Sequence, residues 1–270
     1  MGSSDLDTGR PVARRPNPPD RFAAVPGDDG FFDEAVAARY DESDGDMFAP
    51  EVVEPTVDFL EGLAGGGRVL ELAIGTGRIA LPLAARGVDV HGIELSKAMV
   101  ARLRAKPGGA QLPVTIGDFT SARADGTFAL AFLVYNTIQN VTTQEGQAAT
   151  FRNVAEHLHP GGRFVIEVEV PTVRLMPPGD RFHVFASEED HWGIDEYDVE
   201  TQAAFSHHFE LIDGRWEFSS LPFRYVWPAE LDLMARLAGM RLRERWAGWT
   251  REPFTADSRS HVSVWEKPAG

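Results

Sequence analysis

Acidic residues stand where two predicted strands end, and a glycine-rich turn follows the first of these strands. The segment RVLELAIGTGRIA carries Glu71 in a short apolar run and then the spacing Gly75-x-Gly77-x-x-Ala80. Glycines after a strand allow backbone N–H groups to approach a ligand closely, as a nucleotide-like cofactor requires. Glu94 closes the next apolar run, VDVHGIEL. The pattern predicts a cofactor site at neighbouring strand ends.

The charge beside the glycine turn separates two kinds of cofactor. Glu94 suits the two ribose hydroxyls of NAD and of other adenosine cofactors alike, so it does not discriminate between them. The carboxylate of Glu71 would repel a pyrophosphate, whereas it would attract a ligand end that carries an ammonium and a sulfonium. S-adenosylmethionine has such an end, and we expect it to be the cofactor. A nicotinamide oxidoreductase that uses the same glycine turn is the first alternative.

Composition excludes several classes of function. The chain has 270 residues, a formal net charge of -15 and no cysteine. An acidic surface argues against a nucleic-acid partner, because such binding depends largely on Lys and Arg. Without cysteine there is no thiolate nucleophile and no Cys-ligated zinc, and we expect no metal site. The longest strongly apolar run, FALAFLVY, is too short to cross a bilayer, and no signal peptide is visible, so we expect a cytoplasmic protein.

Strand-like and helix-like patterns alternate through the middle of the chain. The predicted strands are RVLELA, VDVHGIEL, PVTIGDF, FALAFLVYN and RFVIEVEVP. Strands separated by helices predict an α/β fold with a doubly wound, mostly parallel sheet, which binds ligands outside the carboxyl ends of its strands. We expect Ser96 to cap one helix and Thr142 to form a capping box with Glu145 at another.

The segment after the fifth strand breaks this alternation. A proline-rich loop precedes two alternating runs, which are joined by Asp213-Gly214. Asp-Gly between alternating runs is a strong hairpin signal, and it predicts an antiparallel β cap inserted into the main domain. The predicted parts are a disordered tail at 1–28, a cofactor-binding domain at 29–171 and 228–270, and a β-rich cap at 172–227.

Over about 31–268, these motifs resemble those of the class I S-adenosylmethionine-dependent methyltransferases, of the small-molecule type found in natural-product tailoring. VLELAIGTG looks like their first motif, and VHGIELSKAMV, IGDF and LHPGGRFVIE are similar to the later ones. The commonest first motif has a glycine where this chain has Ala73, a departure that we expect to leave the backbone path intact. The resemblance implies a Rossmann-like sheet of seven strands whose last strand is antiparallel.

The resemblance also implies roles for individual residues. Glu94 would bind the ribose, Asp118 would meet the adenine amino group, and Phe119 would pack on the adenine ring, although Phe119 and Met99 could equally serve the core. The expected cofactor-binding residues are Tyr40, Glu71, Ala73, Gly75, Gly77, Glu94, Leu95, Met99, Asp118, Phe119 and Asn136.

The sequence defines the acceptor side less closely. A neutral amine needs positioning more than a base, whereas a hydroxyl acceptor usually needs a base. The candidates for catalytic or substrate contacts are Tyr40, Asn136, Glu169, His207 and His208. Each could instead be a packing, capping or solvated residue. His207 and His208 are neighbours on a predicted strand, so they point to opposite faces and cannot easily share a metal.

We therefore expect an S-adenosylmethionine-dependent N- or O-methyltransferase that acts on a small molecule. The aromatic residues of the cap could line an acceptor pocket or form a homodimer contact, and the sequence leaves both open. A second alternative is a non-catalytic or dimerisation module that holds the cofactor without transferring a methyl group.

Overall fold

The described strands form two sheets in the computed structural model, which describes residues 31–43 and 45–269. The tail expected at 1–28 lies outside the described residues. The helices are α1 Glu34–Ser43, α2 Pro50–Ala64, α3 Ala80–Ala85, α4 Lys97–Ala105, α5 Gln144–His157 and α6 Pro228–Leu237. The strands are β1 Val69–Leu72, β2 Val90–Glu94, β3 Val114–Ile116, β4 Phe128–Leu133, β5 Leu158–Glu169, β6 Phe182–Ser187, β7 His191–Tyr197, β8 Ala203–Ile212, β9 Arg215–Arg224, β10 Arg241–Trp246 and β11 Ser260–Glu266.

The larger sheet has seven strands in the order β10-β11-β5-β4-β1-β2-β3. Strands β1 to β5 run parallel, while β11 is antiparallel to both of its neighbours. This confirms the predicted doubly wound sheet and its antiparallel last strand. Because the carboxyl ends of β1 to β5 meet at one edge, the loops that follow them share one side of the molecule.

Helices cover both faces of the larger sheet. In β1, Leu70 packs in a core with α5 and α6, whereas Val69 packs in a second core with α2 and α3. Strands that are buried on both faces read as nearly continuous apolar runs, which explains their clear signal in the sequence. No helix within the described ranges is long and apolar enough to cross a membrane.

One of the two predicted helix caps is confirmed and the other is wrong. The side chain of Ser96 accepts a hydrogen bond from the Met99 N–H at 3.0 Å, as expected for the start of α4. At α5 the cap is Thr143, whose Oγ1 accepts from the Gly146 N–H at 3.1 Å, rather than Thr142. Thr143 has the extended backbone that an N-cap needs, and the helix begins one residue after it.

The smaller sheet is a meander of β6, β7, β8 and β9, each antiparallel to the next. The predicted hairpin is confirmed at β8–β9, where Asp213 and Gly214 have φ values of 50° and 74°. Positive φ at both central residues matches the twist of the flanking strands. The proline-rich loop expected before this hairpin is wrong in part, because β6 and β7 occupy much of it.

A buried histidine, His261, lies in β11 near the edge of the larger sheet where the parallel strands end. The Nδ1 atom of His261 is 2.8 Å from Ser263 Oγ, and its Nε2 has no hydrogen-bond partner among the described residues. Burial, helped by the charge of Arg245, lowers the pKa of His261 to about 3. The ring therefore stays neutral in the fold at pH values where the unfolded chain would bind a proton.

This histidine predicts a loss of stability in mild acid. Below its ordinary pKa, only the unfolded state gains the proton, so the free energy of unfolding falls as the pH drops. Between pH 7 and pH 5, we expect His261 to contribute a loss of about 2 kcal/mol that His261→Gln lacks. Urea denaturation of both proteins at the two pH values measures this difference. A stability difference between the proteins that is the same at pH 7 and pH 5 would contradict the prediction.

Candidate active site

The turn after β1 has three residues with left-handed backbone. The φ values are 53° for Ala73, 55° for Gly75 and 87° for Gly77. The Gly75 N–H donates to Glu94 Oε2 at 2.8 Å, so the turn is tied to the end of β2. Ala73 keeps the backbone path of a glycine, and as a residue with a Cβ it carries strain there.

The two glycines of the turn serve different purposes. A Cβ on Gly77 would lie 2.4 Å from Leu103 Cδ1, so this glycine allows the turn to pack against α4. A Cβ on Gly75 would find its nearest atoms at 3.7 Å, in Met99, and at 3.9 Å, in the Ala73 carbonyl. Gly75 therefore has room beside it into which a ligand can fit against the backbone.

Glu71 is a buried acid with an incomplete set of partners. It is 3% exposed, and its Oε2 has no hydrogen-bond partner among the described residues. Burial raises its pKa well above the ordinary value, the nearby charge of Glu94 adds to this, and the charge of Arg78 opposes it. A buried carboxylate in this state is stabilised by a cationic hydrogen-bond donor.

The ends of β2 and β3 place four of the expected cofactor-binding residues along the same edge of the sheet. Both oxygens of the buried Glu94 carboxylate accept hydrogen bonds from the backbone. Oε2 accepts from the Gly75 N–H of the glycine turn, and Oε1 accepts from the Ser96 N–H at 2.9 Å. Leu95 is 43% exposed next to it. After β3, Asp118 is exposed and accepts from the Thr120 N–H at 2.8 Å, while Phe119 is half-buried against the main core.

Helix α1 is held against the glycine turn by polar contacts that the sequence did not predict. Asp41 accepts from Thr76 Oγ1 at 2.6 Å and pairs with Lys106 Nζ at 2.5 Å. Lys106 also donates to the Thr76 carbonyl at 2.9 Å. Tyr40 lies on the same helix and packs with Met99 beside the turn. These contacts join residues far apart in the chain, so no local pattern marks them.

The loop after β4 is held in an unusual conformation. Tyr135 and Asn136 both have a φ of 58°, which is uncommon for residues other than glycine. Glu167 Oε2 accepts from the Tyr135 N–H at 2.9 Å, and Asn136 Oδ1 accepts from the Glu169 N–H at 2.7 Å. The Oε1 atom of Glu167 accepts from Trp249 Nε1 at 2.8 Å. The carboxylate of Glu167 and the backbone N–H of Glu169, both in β5, thus position this loop.

The face of the small sheet that carries Asp195, here called the inner face, brings a second acid beside β5. Glu169 Oε1 lies 3.4 Å from the Gln139 amide, and Asp195 of β7 accepts from the Tyr197 hydroxyl at 3.1 Å. Burial raises the pKa of both Glu169 and Asp195, and the charge of Asp195 raises that of Glu169 further. Asp195 was not among the predicted site residues, although the alternation along HWGIDEY is typical of a strand.

The two histidine candidates lie on different faces of the small sheet. His208 shares the inner face with Asp195, because His208 pairs with Gly193 across β7 and β8. His207 faces the other way, 3.6 Å from Glu196 and 3.0 Å from Ser220 Oγ. On the inner side, Glu217 of β9 reaches Arg39 of α1 at 4.0 Å. We take the space between this face of the sheet, α1 and the carboxyl ends of the parallel strands as the candidate substrate cleft, and of the two histidines only His208 lies on that face.

Comparison with known proteins agrees with this geometry. Residues 69–162 match the family model of a methyltransferase domain. The CcbJ methyltransferase from Streptomyces caelestis is 36% identical, with a TM-score of 0.77 over 87% of this chain and 96% of that one. The cypemycin N-terminal methyltransferase of a Streptomyces species is 29% identical over 75% of this chain and 84% of its own length.

A third protein shares the fold with the cofactor in place. An amino pentose methyltransferase from Micromonospora echinaspora, solved with S-adenosylmethionine bound, has a TM-score of 0.64 and 19% identity. The alignment covers 86% of this chain and 96% of that one.

The fold and the matches define an S-adenosylmethionine-dependent transferase of methyl groups. The chain belongs to the class I S-adenosylmethionine-dependent methyltransferases that act on small molecules, of the natural-product type. It is therefore a methyltransferase rather than a nicotinamide oxidoreductase or a non-catalytic module. The orphaned Oε2 of Glu71 and the open space beside Gly75 fit the ammonium end and the close approach of this cofactor.

Ala73 provides a test of the strained turn. A left-handed alanine costs about 1–2 kcal/mol, and the greater freedom of glycine in the unfolded chain offsets about 0.4–1 kcal/mol of the gain. We expect Ala73→Gly to leave the fold as stable as the wild type or to raise its free energy of unfolding by about 1 kcal/mol. Chemical denaturation measures this change.

The matched control is Ala84→Gly in α3, which should destabilise by about 1 kcal/mol because glycine is a poor helix former. If Ala73→Gly is as destabilising as Ala84→Gly, the turn does not carry the strain that its backbone angles imply.

Proposed function

We propose that this enzyme methylates an amine nitrogen of its small-molecule acceptor. The observation that carries the proposal is the pair of half-buried acids, Glu169 of the main domain and Asp195 of the small sheet, which are close enough for the charge of Asp195 to raise the pKa of Glu169. Two desolvated carboxyl groups beside each other favour the binding of a cation. An aliphatic amine enters as a cation at neutral pH, whereas a hydroxyl acceptor does not.

We propose that the cofactor lies along the ends of β1 to β4. Glu71 would hold its ammonium, Glu94 its ribose hydroxyls, and Asp118 its adenine amino group. The other residues that would contact it are Tyr40, Ala73, Gly75, Gly77, Leu95, Met99, Phe119 and Asn136. When bound, S-adenosylmethionine supplies a methyl group that its sulfonium makes electrophilic. The residues of the chain then act mainly by positioning the acceptor and excluding water.

The relatives support nitrogen as the reacting atom. The cypemycin relative is named for N-terminal methylation, and the fold neighbour with bound cofactor is named for an amino pentose. The first is a peptide amine and the second an amino sugar, so the shared chemistry is an amine. Tyr40, Asn136, Glu169 and His208 would contact the acceptor, while His207 points away from this cleft.

The remaining assignments are also proposals. We propose that 172–227 is a cap that shapes the acceptor pocket, that 29–171 and 228–270 hold the cofactor, and that the protein acts in the cytoplasm without nucleic acid. A homodimer contact through the cap stays a prediction. The outer face of the small sheet exposes more than half of the side chains of Phe182, Trp192, Trp216 and Phe218.

A panel of acceptors tests the choice of nitrogen. We expect a peptide with a free N-terminal amine or an amino sugar to yield S-adenosylhomocysteine, and their N-acetylated counterparts and a catechol to yield none. Mass spectrometry detects the product, and NMR locates the new methyl group. Methylation of the catechol oxygen without methylation of any amine would show that the enzyme is an O-methyltransferase.

A further inference from the structure

A row of hydrogen-bonding side chains runs along the inner face of the small sheet. It begins at Asp195, which lies directly opposite Ser206 across β7 and β8, so that the two side chains are neighbours on one face of the sheet. The Oγ atom of Ser206 lies 3.1 Å from His208 Nε2, and His208 Nδ1 lies 3.0 Å from His191 Nε2. Hydroxyl and imidazole groups can both donate and accept, so each link of the row can pass a proton.

The strand register explains why these side chains line up. Asp195 pairs with Ser206 across β7 and β8, and Gly193 pairs with His208, so these residues share one face. The absence of a side chain at Gly193 leaves room for Phe185, whose ring meets that of His208 edge-on at 5.4 Å. The planes of the two imidazoles of the row are 3° apart, and their ring centres are 5.3 Å from each other. Packing thus holds the row in a single arrangement.

Asp195, the first residue of the row, lies among other ionisable groups. Burial raises the pKa of Asp195, hydrogen bonds from Ser206 and Tyr197 lower it, and nearby histidine charge lowers it as well. The described titratable groups around Asp195 are Glu169 of β5, His183 of β6, Tyr197 of β7 and His208 of β8. A carboxylate with a raised pKa is a stronger base than an exposed one.

Methylation of an amine that arrives protonated must release a proton. The N–H bond breaks first, and its electron pair stays on nitrogen as the nucleophile. That pair forms the new N–C bond, while the electron pair of the broken C–S bond stays on sulfur. An ammonium and a sulfonium thus become a methylated ammonium, a neutral thioether and one free proton. A buried site needs a group that takes this proton and a route that removes it.

We propose that Asp195 takes the proton from the acceptor ammonium and that Ser206, His208 and His191 pass it along the small sheet to solvent. This inference rests on the proposed N-methylation. Asp195 is then the catalytic base, and the other three residues act through it. Glu169 provides the second negative charge that attracts the ammonium.

Kinetics with the amine that the panel identifies test the role of Asp195. At pH 7, we expect Asp195→Asn to lower the single-turnover rate at least about tenfold, because positioned bases contribute that much or more. The rate should recover toward pH 10, where solvent deprotonates the amine. We expect His208→Gln to shift the pH profile in the same direction. Affinity for S-adenosylhomocysteine, measured by calorimetry, should be unchanged in both variants.

The matched control is Glu196→Gln, which removes the neighbouring carboxylate on the opposite face of β7. We expect it to keep the wild-type pH profile. If Asp195→Asn also keeps that profile, the proposal is wrong. If no amine is methylated at all, the proposed function fails instead, and the two failures are thereby distinguished.

A measurement that needs no acceptor tests the row itself. The histidine ring signals of the protein saturated with S-adenosylhomocysteine can be followed by NMR against pH. Asp195→Asn should lower the pKa of His208, because it removes a nearby negative charge, whereas Glu196→Gln should leave the His208 titration unchanged. The cation 1-methylpiperidine should shift the His208 signal in the wild type but not in Asp195→Asn, and uncharged 1-formylpiperidine should shift neither. The proposal is overturned if neither the Asp195→Asn substitution nor the cation changes the His208 ring signal or its pH dependence.

Discussion

The buried carboxylate of Glu71 is the constraint on which the proposed cofactor site depends. It sits at the end of β1 with one oxygen lacking a hydrogen-bond partner among the described residues, and burial disfavours its charge. Glu94 adds negative charge at the neighbouring strand end, and the larger effect of Arg78 opposes it without overcoming the effect of burial. The pyrophosphate of a bound ligand would add negative charge beside Glu71, whereas an ammonium would supply the positive charge that stabilises the carboxylate. We propose that the glycine turn allows close approach and that Glu71 selects which ligand approaches.

The other parts of the cleft are positioned by charged groups rather than by the turn. Asp41 and Lys106 fasten α1 to the turn, and Glu167 holds the loop after β4. In the proposed cleft, Glu169 and Asp195, when ionised, would give the acceptor side the same sign of charge as the cofactor side. A sulfonium and an ammonium repel each other, and negative charge on both sides of the cleft lowers the cost of bringing them together. A net charge of -15 fits such a design.

The sequence predicted the elements that depend on local patterns. The parallel strands are buried on both faces, so their apolar runs are unmistakable, and Asp213-Gly214 has the backbone freedom that its hairpin turn requires. The sequence did not predict strands whose alternating pattern is interrupted, nor residues whose partners are distant in the chain. Strands β6 and β7 follow a proline-rich stretch, and their exposed outer face weakens the alternation. Asp41 and Asp195 gain their roles from partners on other elements, and no spacing in the chain encodes such contacts.

The most direct measurement compares two ligands by calorimetry: S-adenosylhomocysteine and its analogue in which hydrogen replaces the amino group. Glu71→Gln should weaken S-adenosylhomocysteine about tenfold or more, about 1.4 kcal/mol, and leave the analogue nearly unchanged. The control Glu94→Gln should weaken both ligands alike, because both keep the ribose. Equal losses for the two ligands in Glu71→Gln, or no loss in either, would contradict the claim that this buried acid selects the cationic end of the cofactor.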